Sequence, residues 1–180
     1  YLRSEKLDRA LHYLILAGQK AARDYANLQA RMHYEEAANL LPKVVHTGEQ
    51  TQQVQEGLGD VLVFTGEYAK ARQFYQNALE TITTEEVNDR DHRYSSLHRK
   101  IATTYERQGD FDRSLTHLAE ACRSLEVSPI SAPVEKANIF NEIGWIHFLR
   151  GNFEEAKNFL AAGLNLVETS RQYDVIASIH

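Results

Sequence analysis

Cysteine is almost missing from this 180-residue sequence: Cys122 stands alone. No disulfide can therefore form within the chain, and no thiolate cage can hold a metal. Such usage fits a reducing compartment, so a cytoplasmic location is expected. Proline is nearly as scarce, at Pro42, Pro129 and Pro133 only. No apolar run reaches the roughly 20 residues of a membrane span, and no charged segment followed by an apolar one opens the chain as a secretory signal would. Basic charge is not in excess either: 20 Lys and Arg face 25 Asp and Glu, a net charge of −5. A nucleic acid or an anionic membrane calls for a basic stripe, so neither is expected as a partner. Catalytic motifs are missing as well. There is no Gly-x-x-x-x-Gly-Lys-Ser/Thr and no His-Glu-x-x-His. The eight histidines are scattered without an i, i+4 pair, so no histidine cluster, metal or cofactor is expected.

What is present is helix period and repetition. Apolar residues make up 43% of the chain, enough for a core, and no long stretch alternates like a half-buried strand. One phrase occurs three times: Gly66-Glu-Tyr-Ala-Lys-Ala71, Gly109-Asp-Phe-Asp-Arg-Ser114 and Gly151-Asn-Phe-Glu-Glu-Ala156, at intervals of 43 and 42 residues. Self-similarity on that scale marks a stacked array of helical hairpins. Each glycine ends one apolar-periodic run and precedes another, as a left-handed residue just past a helix does. Glu67, Asp110 and Asn152 then offer a capping or negative side chain to the next helix. The expected helices are 5–22, 27–41, 48–65, 68–82, 91–108, 111–126, 134–150 and 153–169, with a ninth starting near 172. The connectors are Pro42 to Gly48, Thr84 to Asp91 and Ser128 to Pro133. The chain opens at Tyr1 rather than Met and closes on Val175, Ile176 and Ile179, spaced as one helical face. It therefore reads as an excised segment, with Ile179 turned toward a further repeat.

The repeats resemble tetratricopeptide repeats, helical hairpins of about 34 residues. Leu58-Gly59, Leu62, Gly66, Tyr68, Ala71, Tyr75 and Ala78 carry the likeness in the clearest unit. Ile101-Ala102, Tyr105, Gly109, Phe111, Ser114, Leu118 and Ala121 carry it in the next, and Phe140, Ile143-Gly144, Gly151, Phe153, Ala156, Leu160 and Gly163 in the last. A degraded first unit aligns through Ala17-Gly18, Ala21, Ala30, Tyr34, Ala37 and Pro42, with Tyr25 at the turn-glycine position. The resemblance implies an all-α solenoid of antiparallel helical hairpins in a right-handed superhelix. It forms a single domain over 1–180, with units at about 5–42, 48–83, 91–127 and 134–169 and the start of a fifth at 172–180. The period of about 42 is similar to that of kinesin light chains and of the arrays that follow AAA-type (STAND) ATPases in bacterial signalling proteins. Ala10-Leu-His-Tyr-Leu-Ile-Leu-Ala-Gly18 and Gly57-Leu-Gly-Asp-Val-Leu-Val-Phe-Thr-Gly66 are worded like the second group.

The repeated words are turn, cap and wedge; function is sought between them. Tyr68, Phe111 and Phe153 recur at repeat spacing and read as core wedges. Glu35-Glu36, Glu85-Glu86 and Glu154-Glu155 diverge by about 100° around a helix, so they read as solvated faces rather than paired acids. Cys122, in a packed helix, reads as a small buried hydrophobe rather than a nucleophile. The resemblance places Gln53, Glu56 and Asp60, then Arg99, Thr103, Glu106 and Arg107, then Asn138, Asn141 and Trp145 on the concave groove lined by the first helix of each hairpin. Asparagine amides can pair with an extended peptide backbone. The single tryptophan is either an exposed anchor there or a wedge between hairpins. Repeat proteins that clamp a C-terminal carboxylate carry Lys/Asn, Asn and Lys/Arg on these helices. The corresponding frames hold Glu56 and Asp60, or Arg99 and Thr103 followed by Glu142, and the acidic residues would repel a carboxylate, so that mode is rejected.

The expectation is a non-catalytic protein-interaction scaffold or sensor segment of a larger cytoplasmic, bacterial signalling protein, binding a peptide or protein along the groove. The alternative is a self-association module that sets the oligomeric state of an attached ATPase or nucleotide cyclase. Any catalysis belongs to other parts of such a parent chain.

Overall fold

The computed structural model describes the backbone of residues 2–82, 90–128 and 132–179, and the side chains of 6–82, 90–126, 128 and 132–170. Every regular element among these residues is helical. α1 (Leu2–Arg23) and α2 (Asn27–Leu40) are followed by a 3₁₀ turn at Leu41–Lys43. α3 (Gly48–Phe64), α4 (Tyr68–Ile82), α5 (Arg90–Glu106), α6 (Phe111–Val127), α7 (Pro133–Leu149) and α8 (Phe153–Ile179) complete the order. The chain divides into two compact units, Tyr1–Arg90 and Asp91–His180.

Each hairpin turns on one residue of left-handed backbone. Gly66, Gly109 and Gly151 have φ of 77°, 76° and 79°, and Tyr25 adopts the same conformation at 57°. The next N–H reaches back five residues each time: Ala26 to the Ala21 carbonyl (2.8 Å), and Glu67 to Leu62, Asp110 to Tyr105 and Asn152 to His147 (2.9 Å each). That bond satisfies a carbonyl at the end of the preceding helix. The degraded first repeat thus keeps its turn without the glycine.

Counted from these four turn residues, the packing repeats. Seven residues before the turn stand Gly18, Gly59, Ala102 and Gly144; nine after it stand Tyr34, Tyr75, Leu118 and Leu160. A Cβ at Gly18 or Gly59 would lie 2.8 or 2.4 Å from Tyr34 or Tyr75, and one at Gly144 would lie 2.9 Å from Leu160 Cγ. The missing side chain is what lets the large one cross the hairpin. Five residues after the turn come buried Ala30, Ala71, Ser114 and Ala156. Ser114 fits there because its hydroxyl donates to the Ala102 carbonyl at 2.9 Å.

In the first unit Leu11, Ile15, Ala30, Tyr34 and Ala37 enclose Val54, Leu58 and Val61 of α3. In the second, Ala102, Leu118, Ala121 and Leu125 enclose Ile139 and Ile146 of α7. Capping follows local chemistry. Thr47 and Gln50 form a reciprocal capping box on α3, and Asp110 accepts the Arg113 N–H at 3.2 Å. Glu67 serves otherwise: its carboxylate takes Lys70, Arg31 and the Thr65 hydroxyl, which hold it down to about 2.

The expected ninth helix is corrected. α8 runs from Phe153 to Ile179 without a break. Residues 165–172 contain neither glycine nor proline to stop it. The connectors at 84–91 and 128–133 fall largely outside the described residues, as do Glu85, Glu86 and the side chains of Val175, Ile176 and Ile179.

Candidate functional site

The expected groove residues divide between the two units. Gln53, Glu56 and Asp60 lie on α3 in the first. Gln53 donates to Glu49 Oε1 at 3.3 Å, and Asp60 Oδ1 accepts the buried Tyr75 hydroxyl at 2.8 Å. Burial, with the charges of Asp60 and Glu56, pushes the Tyr34 phenol up to about 12. The same causes raise Tyr75 further, its hydrogen bond to Asp60 adding to them. Asp60 is therefore a partner for a core tyrosine, and both carboxylates are half-buried beside aromatic wedges.

In the second unit the residues converge. Arg99 on α5 reaches α7, where Nη1 donates to Glu135 Oε1 at 2.7 Å, Nε to Glu142 Oε1 at 3.1 Å, and Nη2 also to Glu142 Oε1. Glu135 and Glu142 are two turns apart, so a single guanidinium spans both. Burial opposes the Arg99 charge, but these hydrogen bonds hold its pKa above the ordinary value. Burial also raises the Glu142 carboxyl, against the pull of Arg99. Arg99 is thus a clamp between helices, with Nε, Nη1 and Nη2 each engaged. Thr103 donates to the Arg99 carbonyl at 3.1 Å. Arg107, largely exposed, lies 3.8 Å from Glu106.

Two clefts flank Trp145. The first, about 450 Å³ and partly open to solvent, is lined by Thr103, Glu106, Leu118, Glu142, Trp145 and Ile146 among others. Glu106 and Glu142 make it acidic, and the Glu106 charge adds to the upward push on the Glu142 carboxyl. The second, about 460 Å³, is lined by Asn141, Trp145, Phe148 and Leu160 and is mainly apolar. Trp145 is 48% exposed. Its ring stacks on Phe148 at 5.5 Å and 19°, and Phe148 meets Phe153 edge-on at 5.7 Å. Asn141 and Asn138 are exposed on α7, and only Asn141 lines a cleft described here. Phe153 is itself 63% exposed, so among the repeat aromatics it is not a core wedge.

One grouping is missed by the sequence reading and corrects it. His98 and His117 meet across the α5–α6 hairpin, Nδ1 to Nδ1 at 3.1 Å. Tyr94 lies against His98 at 4.4 Å and Tyr105 stacks on His117 at 5.5 Å. Burial first, then His117, drives His98 down to about 4, with Glu120 opposing. Nineteen residues separate the pair, so no i, i+4 search could find it. Only folding the hairpin about Gly109 brings the two together.

Among the described residues no group of three or more His, Cys, Asp or Glu is placed to hold a metal. No described helix is long and apolar enough to cross a membrane. Cys122 is a half-buried free thiol whose pKa burial raises, which suits packing better than nucleophilic attack.

The tetratricopeptide repeat family model matches residues 50–126. No curated protein matches the sequence. Solved structures with the same fold include BtubC (BKLC) from P. vanneervenii, at TM-score 0.79 and 17% identity over 92% of this chain. RapI follows at 0.76 and 15% over 90%, and MamA at 0.67 and 16% over 91%. The chain spans 66% of BtubC, 44% of RapI and 81% of MamA.

Proposed function

Because residues 50–126 are tetratricopeptide repeats, within a chain that has the all-α hairpin-array fold, we propose that the protein is a non-catalytic interaction scaffold. Its second unit takes an extended peptide across α5 and α7. The observation that carries this reading is Trp145, half exposed between an acidic and an apolar cleft. A tryptophan in that position offers a large rigid face at low entropic cost. Glu106 and Glu142 favour a basic side chain or amide donors on the peptide, and the apolar cleft takes a neighbouring aliphatic or aromatic residue. Asn138 and Asn141 supply donor and acceptor pairs for its backbone. Thr103 and Arg107 border the path; Glu56 and Asp60 are the candidates on α3 of the first unit, taken by itself. The finer setting we infer is a sensor segment of a larger cytoplasmic bacterial signalling protein, a reading supported by the 42-residue period and the absence of catalytic motifs. An upstream phosphate-binding loop in the parent sequence is the check on that setting.

The binding test uses a displayed library of extended peptides selected on this chain. Trp145 is the only tryptophan, so its fluorescence reports occupancy directly. Selected peptides should be enriched in Lys or Arg and should shift that emission. Trp145→Ala and Asn141→Ala should each weaken them by about tenfold or more. Equal affinity for both variants would place the binding surface elsewhere.

A further inference from the structure

We infer that the chain assembles with itself head to tail, α1 of one copy docking on the α7–α8 hairpin of the next. The grounds are positional. Within each unit a hairpin is capped by the first helix of the hairpin that follows, and the same positions make the contact both times. The capping helix contributes the residues twelve and five before its turn: Val54 and Val61 on α3, Ile139 and Ile146 on α7, all at most 2% exposed. The capped hairpin contributes the residue nine after its turn, Tyr34 or Leu118, both buried. Tyr34 also fixes where the incoming helix passes. Its ring lies 2.3 Å from a Cβ built on Gly57, nine residues before the next turn.

Two surfaces of the same kind are left exposed. On the α7–α8 hairpin the residue nine after the turn is Leu160, 43% exposed where Leu118 is 1%. Around it Trp145, Phe148 and Leu164 are exposed too. On α1 the residue twelve before the turn is Tyr13, 67% exposed where its counterparts are buried, and nine before it stands exposed Leu16. One surface is a hairpin's capping face and the other a capping helix's inner face. Charge agrees. α1 carries five basic and two acidic residues, and α7 with α8 carries three basic and six acidic. Superposing the internal contact sets Leu16 on Leu160 and Tyr13 alongside. Lys20, five before the turn, takes the place that Ile146 holds one hairpin earlier, which on α7–α8 is the apolar cleft beside the stacked Trp145 and Phe148 rings, a favourable place for an ammonium. The contact is heterologous, so it joins copies into a closed ring or an open chain rather than through one self-complementary patch. It goes beyond the peptide-binding reading by using α1, which that reading does not, and it shares the cleft beside Trp145 and Leu160 with the peptide, so the two occupants exclude each other there.

The test pairs single cysteines in a Cys122→Ala background. Leu16→Cys and Leu160→Cys chains, mixed under mild oxidation, should give a disulfide-linked pair several-fold above either alone. Leu28→Cys, exposed on α2, replaces Leu16→Cys as the control. Leu164→Cys stands in for Leu160→Cys should the loss of leucine on Gly144 unfold the hairpin. In parallel, the sedimentation-derived mass of the unmodified chain should rise from 20.6 kDa to at least twice that value between about 10 µM and 1 mM, the range expected for a small interface. Leu16→Glu should abolish the rise while its circular dichroism spectrum is unchanged. A mass that stays at one chain throughout, or cross-linking no better than the Leu28→Cys control, overturns the inference. Peptide binding by Leu16→Glu at unchanged affinity separates the failure of one reading from that of the other.

Discussion

Replacing Tyr25 by glycine should stabilise the protein, although it deletes the largest side chain at any of the four turns. Left-handed backbone costs a residue with a Cβ about 1–2 kcal/mol, and Tyr25 holds φ of 57°. Its side chain is 82% exposed, so little packing is lost. Glycine's extra freedom in the unfolded chain gives back about 0.4–1 kcal/mol. The balance is a gain of roughly 0.5–1 kcal/mol, or a Tm rise of about 1–4 °C for a chain of this length. The reverse substitution provides the control. Nothing lies within 4 Å of a Cβ built on Gly66, Gly109 or Gly151, so Gly109→Ala meets no clash and isolates the backbone cost. It should lower Tm by about 2–4 °C, and Gly109→Asn should lower it less, since asparagine tolerates this conformation. Thermal and urea unfolding followed by far-ultraviolet circular dichroism measure all three. A destabilised Tyr25→Gly together with a neutral Gly109→Ala would refute the turn argument.

Two further outcomes follow from the second unit. His98 is neutral in the fold down to about pH 4 but protonates near its ordinary 6.5 once unfolded. The unfolded chain therefore binds more protons in that window, and stability present above pH 6.5 is lost as the pH falls toward 4. The loss should be about 1–2 kcal/mol, less than the full shift implies because solvent lies close to the imidazole pair. Urea midpoints at pH 7 and pH 5 should converge in His98→Gln, and an unchanged difference would contradict this. Arg99→Met strands Glu135 and Glu142 partly buried and facing each other's charge, so it should cost about 2–4 kcal/mol at pH 7. The Glu142 carboxyl, already raised, should rise further, so this variant regains stability on mild acidification as that group protonates, opposite in sign to the His98 effect. Denaturation of Arg99→Met across pH 7 to 5 decides it.

The turn glycines were legible because the left-handed conformation a tight turn needs suits few residues but glycine, and that need recurs at a fixed interval. The residues seven before and nine after each turn were legible as carriers of the resemblance, but their pairing was not, because only the folded hairpin sets a large side chain against a small one. Tyr25 was the harder case, since a tyrosine in left-handed backbone is held by its neighbours' hydrogen bonds rather than by its own preference. Among the candidate site residues, placement on the first helices was readable from the turns, but engagement was not. Arg99 seemed available to a partner until Glu135 and Glu142, about one repeat further on, claimed its donors. The exposure of Trp145 depends on what lies beyond α7 and α8, which no spacing within the repeat encodes. His98 and His117 belong to opposite arms of a hairpin, and linear periodicity along either helix is blind to such a pair.

The seat of Tyr34 has a consequence for how the first unit comes apart. Its ring fills notches in two helices at once, at Gly18 within its own hairpin and at Gly57 in the next. Neither notch can be vacated alone. Opening α1–α2 withdraws the plug from α3, and loosening α3 leaves α1 and α2 with a ring that has lost half its socket. To the broad apolar face that couples neighbouring repeats in such arrays, Tyr34 adds one side chain that both hairpins share. The first two hairpins should therefore melt and reform together, as a block larger than the sequence repeat.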